Sequence, residues 1–189
     1  MLKKISASLI AILIIFSLSA STYTKAYECN KEGEILNKEF TVCIDPGHQG
    51  KGDPKGEPVA PGSGNKKPRV SSGTAGIATK KAEQVVNLEA AMILKDLLVQ
   101  KNYKVIMTRE TADVNISNAE RAEIANNANA DITIRIHCDS INDSGKTGAT
   151  ILVPAKNSQY TKNIYCESNK YAEILKKTLQ NNNIKVNGV

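Results

Sequence analysis

The chain has 189 residues, 41% of them hydrophobic and 23% charged, with no Trp and a formal charge of +6. That length suits one domain with a real core. Removing Lys3, Lys4 and Lys25, which belong to an unusual first segment, lowers the charge to about +3, too weak a surplus to argue for a nucleic-acid partner.

That first segment comes first in chain order. Lys3 and Lys4 precede the apolar run "LIAILIIFSL", residues 9–18, and small and polar residues follow to Ala26. This is the layout of a secretory leader, and the run is too short for a comfortable transmembrane helix. The expectation is a signal peptide over 1–26, a linker over 27–39 and one domain over 40–189. The protein would be exported to the cell wall, the periplasm or the medium. It would have no stable membrane insertion after leader cleavage.

A strand is expected from Phe40 to Asp45, stopped by Pro46 and Gly47, with His48 directly beyond. Residues 49–79 are rich in Gly, Pro, Ser and Lys, and the composition predicts no ordinary helix or strand of any length there. Val86, Ala90, Ile93, Leu94 and Leu97 recur at helical spacing and predict a helix over 80–101. Glu83 lies in its first turn and shares a face with Asn87. "YKVIMT", residues 103–108, is a second strand. "SNAE", Ser117 to Glu120, is a capping box that opens a helix running to about Asn129. "DITIRIH", 131–137, alternates as a third strand, 149–153 is a fourth, and 160–179 forms a last helix.

Strands alternating with helices predict an α/β fold with a largely parallel sheet, whose sites form beyond the carboxyl ends of strands. His48 and His137, the only histidines, both fall at such ends. Two imidazoles and a carboxylate such as Glu83 are a common ligand set for catalytic zinc, which keeps a fourth position open. Zinc acts as a Lewis acid and lowers the pKa of a bound water to roughly 7, the chemistry of amide hydrolysis. Cys43 and Cys138 sit in apolar strand patterns as small hydrophobes, and no disulfide is expected among Cys29, Cys43, Cys138 and Cys166.

The stretches "VCIDPGHQG", "GTAGIATKKAEQVVNLEAAMILKDLL", "YKVIMTRETADVNISNAERAEIANNANAD" and "ITIRIHCDS" resemble, in order, zinc-dependent N-acetylmuramoyl-L-alanine amidases of the amidase 3 type. The resemblance implies a three-layer α/β fold, a mostly parallel twisted sheet flanked by helices. It implies one Zn2+ held by His48, Glu83 and His137, and peptidoglycan as the substrate. The bond cut would be the amide between N-acetylmuramic acid and the L-alanine of the stem peptide. Asp45 is placed to orient His48, or simply to stabilise the turn. Asn87 and Arg121 match recurrent family positions and read as structural. Asp139 stands where relatives usually have asparagine. The family's catalytic glutamate, in a segment like V-x-V-E-x-G-[FY], has no counterpart up to Val189. The general base is therefore expected beyond Val189, and the last strand and helix are expected to be lacking. Glu167 and Glu173 fall on the wrong element to replace it. Two alternatives follow. One is a catalytically inactive, truncated amidase-like protein that binds zinc, with peptidoglycan or a protein partner of unknown kind as its target. The other is a zinc peptidase cutting within the stem peptide.

Overall fold

Strand β2, Thr41–Pro46, organises the molecule, with every residue buried. The computed structural model describes residues 14–15, 40–139, 143 and 145–189. Cys29, the linker 27–39 and all of the leader except 14–15 lie outside the described residues.

Parallel neighbours flank β2: β5, Lys104–Met107, on one side and β6, Ile132–Ile136, on the other. A strand paired on both edges and covered on both faces reads as a continuous buried run, and "TVCI" is one. The faces alternate as a strand requires. Val42 and Ile44 point to one side, where Ala91 and Leu94 of helix α1 (Glu83–Gln100) and Ala172 and Leu175 of helix α3 (Tyr165–Asn181) meet them. Cys43 points to the other side, against Ala125 of helix α2 (Asn118–Asn127) and Ala130. These are the three layers expected. Helix α2 opens with the expected capping box: the Ser117 hydroxyl accepts from the Glu120 amide at 3.1 Å, and the Glu120 carboxylate accepts from the Ser117 amide at 2.6 Å.

A second parallel group joins β7 (Ala149–Leu152) to β8 (Val186–Gly188) on one edge. On the other edge the two-residue strand β1, Ile14–Ile15, pairs with Ile151 and Leu152. Ile151 shares the core of Val42, Ile44 and Ile136, so both groups enclose one apolar interior. No helix among the described residues is long and apolar enough to cross a membrane.

The expectation of no strand within 49–79 is corrected. Asp53–Pro58 (β3) and Lys66–Val70 (β4) form an antiparallel hairpin. Three prolines and Gly56 lie within its strands, which is why composition argued against it. Docking replaces propensity here. Glu57 accepts from the Asn118 side chain at 2.8 Å and the Ala119 amide at 3.2 Å, at the start of α2. Arg69 bridges Asp53 at 3.1 Å and Glu120 at 2.9 Å.

Candidate metal centre

The turn after β2 is built to present an imidazole. Gly47 still donates its amide to Ile136 O at 2.9 Å, prolonging the ladder with β6 by one bond. His48 then adopts φ 62°, a left-handed conformation unusual for a residue with a side chain. Two buried arginines hold that backbone. Arg121, from α2, donates to Pro46 O at 3.0 Å and His48 O at 2.9 Å. Arg109, just past β5, donates to Pro46 O at 2.9 Å and Gly47 O at 3.0 Å. Burial, with Arg121 nearby, pushes the Arg109 pKa down to about 10, so its guanidinium stays charged at neutral pH.

The three expected ligands converge. His48 Nε2 and Glu83 Oε1 are 3.1 Å apart, His137 Nδ1 is 3.1 Å from Glu83 Oε1, and the two ring nitrogens are 3.1 Å apart. The rings meet edge to face at 84°. Tetrahedral zinc with bonds of 2.0–2.1 Å separates its ligand atoms by about 3.3 Å. The donor set is also the borderline-soft mixture that zinc takes. The residues present therefore fit the ion by chemistry and by spacing, and His48, Glu83 and His137 are the group among the described residues able to hold one.

Two glycines make the convergence possible. A Cβ on Gly47 would stand 2.3 Å from the His137 ring. Gly73, at φ +77°, leaves room where a Cβ would sit 2.9 Å from the His48 ring and 3.0 Å from Glu83 Oε2.

Glu83 begins α1, yet its carboxylate serves the site. It accepts the amides of Thr74 and Cys138, each at 2.9 Å, and the Asn87 side chain at 3.4 Å. Burial pushes its pKa up, but the bonds from His137, His48 and those two amides outweigh burial and hold it well below the usual carboxylate range. The His137 pKa is lowered, chiefly by burial, so the ring is neutral at neutral pH, as a ligand must be. Asn87, fully buried, also donates to Gly47 O at 3.2 Å, which ties α1 to the turn.

Two expectations are corrected. Asp45 does not bond His48 directly; it holds Arg121, which in turn holds the His48 carbonyl, and so acts on the turn. Its carboxylate accepts from Thr108 at 2.6 Å and Arg121 at 2.7 Å, and lies 3.4 Å from Arg135. The strand alternation sends Asp45 to the α2 face, while His48 turns back over the sheet's end. The His48 Nδ1 bonds instead to Ser71 O at 2.9 Å. Cys138 is not a strand hydrophobe either. It lies one residue past His137, with its thiol directed at Asn87 Oδ1, 3.4 Å away. Burial, then Glu83 and Asp139, push its pKa up to about 11, so it remains a thiol. Cys43, Cys138 and Cys166 are all free.

The sequence reading missed Ser71, Thr74, Arg109 and Arg135. Ser71 and Thr74 act mostly through backbone atoms, which leave no signal in residue type. Arg109 and Arg135 each follow or sit within a strand, where an arginine ordinarily points to solvent.

Together these features define an α/β protein in which two histidines just past strand ends and the first residue of α1 form a group that could hold a metal ion. The chain belongs to the amidase 3 family of N-acetylmuramoyl-L-alanine amidases, whose family model matches residues 42–189. It is 32% identical over 141 residues to the probable N-acetylmuramoyl-L-alanine amidase AmiB of Haemophilus influenzae. That match covers 74% of this chain but 26% of the relative, so the chain spans about a quarter of that protein's length. It is also similar to the crystal structure of the N-acetylmuramyl-L-alanine amidase Ami1 from Mycobacterium smegmatis. There the TM-score is 0.50 at 25% identity, covering 56% of this chain and 49% of that one. The apo form of Ami1 from Mycobacterium abscessus gives a TM-score of 0.49 at 29% identity, over 54% and 49% of the two chains.

Proposed function

We propose that this chain is a zinc-binding peptidoglycan amidase domain that acts on the amide between N-acetylmuramic acid and L-alanine. The observation that carries this reading is the convergence of His48 Nε2, Glu83 Oε1 and His137 Nδ1 at 3.1 Å spacings in a chain of the amidase 3 family. Zinc, when bound, supplies a Lewis acid for the scissile carbonyl and lowers the pKa of water. The chain's own residues do the rest of what is visible. His48, with its Nδ1 fixed on Ser71 O, turns Nε2 inward. Glu83 enters as an anion, its charge already compensated by two amides. Arg109 and Arg121 hold the Pro46–His48 backbone so that the ligand position is set before metal arrives. The substrate lies in the cell envelope, which agrees with the leader-like composition of residues 1–26.

The test runs in two stages. The first is metal content. The purified chain is expected to hold about one zinc, and His48→Ala to lower occupancy by tenfold or more, because a two-ligand site binds weakly. The second is mass analysis of digested muropeptides. Amidase action leaves a free lactyl carboxylate on muramic acid and an intact stem peptide. Shortened peptides mean the zinc peptidase instead. Wall binding with no cleavage means the inactive binding protein.

A further inference from the structure

His48 and His137 aim nitrogens at the same point, but their outer nitrogens are tied in opposite senses. The outer nitrogen of His48, Nδ1, lies 2.9 Å from the Ser71 carbonyl oxygen. A carbonyl only accepts, so Nδ1 carries a proton, and the Ser71 hydroxyl lies 3.2 Å from the same nitrogen. The outer nitrogen of His137, Nε2, lies 2.9 Å from Nε of Arg135. A guanidinium only donates and keeps its protons. His137 Nε2 therefore accepts, and the proton of the neutral ring sits on Nδ1. That proton points at Glu83 Oε1 and His48 Nε2, each 3.1 Å away, where the ligand atoms converge. In this tautomer His137 is blocked as a ligand.

Arg135 is held firmly in this role. Its Nη2 donates to Asn118 Oδ1 at 2.6 Å, and its Nε is 3.4 Å from Asp45 Oδ2. Its side chain is only 20% exposed. The usual partner of a metal-bound histidine is the reverse, an acceptor for the outer N–H.

We propose that Arg135 is a metal-linked latch: it bonds His137 in the metal-free protein and lets the ring go when Nδ1 takes a divalent cation such as zinc. The proposal rests on the metal reading above. The ring stays neutral throughout, losing a proton at Nδ1 and gaining one at Nε2. A protonated Nε2 and the guanidinium N–H are both donors and cannot face each other at 2.9 Å, so one must move. Asp45 Oδ2 already lies within reach of the released guanidinium. Arg135 is thus a positioning residue whose partner depends on metal occupancy.

Nitrogen-resolved NMR of the labelled chain, metal-free and with one equivalent of zinc, tests this without a variant. In the metal-free protein the His137 proton is expected on Nδ1, with scalar coupling across Arg135 Nε–H to His137 Nε2. With zinc, the ring proton is expected on Nε2 and that coupling is lost, while His48 keeps Nδ1–H in both states. Zinc affinity gives a second readout. Arg135→Met is expected to bind zinc about tenfold more tightly, because loading no longer breaks a charge-assisted bond. Arg135→Lys keeps the charge without the planar fork and is expected to gain as well. A residue that supports the metal-bound ring would behave oppositely, weakening binding by about 10- to 100-fold on removal. Coupling that persists with zinc bound, Nε2 protonated before zinc, weaker binding in Arg135→Met, or a gain absent from Arg135→Lys each overturns the latch and leaves the metal site standing. No zinc binding at all overturns both.

Discussion

The two ends of β2 are equally buried and are held by opposite means. Val42 and Ile44 sit in methyl-lined space between α1, α3 and the sheet. Asp45, Pro46, Gly47 and His48, only a few residues on, sit in a cage of Arg109, Arg121 and Thr108. An apolar interior is non-directional and absorbs small changes of shape. A buried charged network is directional, and removing one member strands the others. The end that carries the candidate metal ligand is therefore rigid and brittle, and the apolar end is tolerant.

Arg121→Ala attacks that contrast most strongly. It removes five side-chain hydrogen bonds and leaves Asp45 buried beside Thr108, with Arg135 as its remaining countercharge. Breaking a buried pair from one side costs about 3–5 kcal/mol. A urea melt should show that loss, and zinc affinity should fall with it because His48 O loses its anchor. Full stability in this variant would mean that the cage is not what holds the turn.

Acid probes the same cage from the other partner. Burial pushes the Asp45 pKa up, but Arg135, Arg121 and the Thr108 hydroxyl outweigh it and hold the carboxyl below its ordinary value. A carboxylate depressed on folding contributes stability above its unfolded pKa of about 3.9, and that stability is lost as pH falls through the folded value. His137, also depressed, disfavours the fold where it must protonate, below its unfolded pKa of about 6.5. Chemical melts from pH 7 down to pH 3 should therefore show falling stability. Asp45→Asn should flatten the acid limb that remains below about pH 4, at a lower stability overall.

The contrast also explains what the sequence made legible. Period-2 and period-3.6 patterns reveal apolar burial, so β2, β6, α1 and the three layers were readable, and Ser117–Glu120 revealed its cap. Two histidines at strand ends pointed to the candidate ligand side. The polar cage was not readable, because Arg109, Arg121 and Arg135 meet backbone carbonyls and one carboxylate from three separate elements, and no local spacing records such a meeting. The hairpin 53–70 was hidden for a related reason. Its strands have poor intrinsic propensity, and what fixes them is Glu57 and Arg69 reaching α2, more than 50 residues away in sequence for Glu57 to Asn118.

Ile44→Val tests the tolerant end. The side chain is fully buried. Deleting one methyl there costs about 0.5–1.5 kcal/mol. Zinc affinity should not change, because Ile44 packs on the α1–α3 face, opposite the face on which Asp45 meets Arg121. A large loss of zinc binding would show that the two ends of β2 are mechanically coupled, and the division drawn between them would fail.

Glu57→Ala is the smallest perturbation and asks whether the hairpin belongs to the cage or merely leans on it. Glu57 accepts from Asn118 and the Ala119 amide, so it adds a carboxylate to the N-terminus of α2 beyond the Ser117 cap. An anion at that place is worth about 0.5–1 kcal/mol. Arg69 keeps a second tie through Asp53 and Glu120, so the hairpin should loosen without leaving. Hydrogen exchange should quicken at residues 53–70 and at the first turn of α2, with the amides of Thr108 and Gly47 unaffected. Asn118 also accepts from Arg135, and this gives the variant its sharpest use. If losing Glu57 frees Asn118 to shift, Arg135 moves with it, and faster exchange would spread from the hairpin to β6. Exchange confined to the hairpin and the start of α2 would place the boundary of the rigid cage at Asn118.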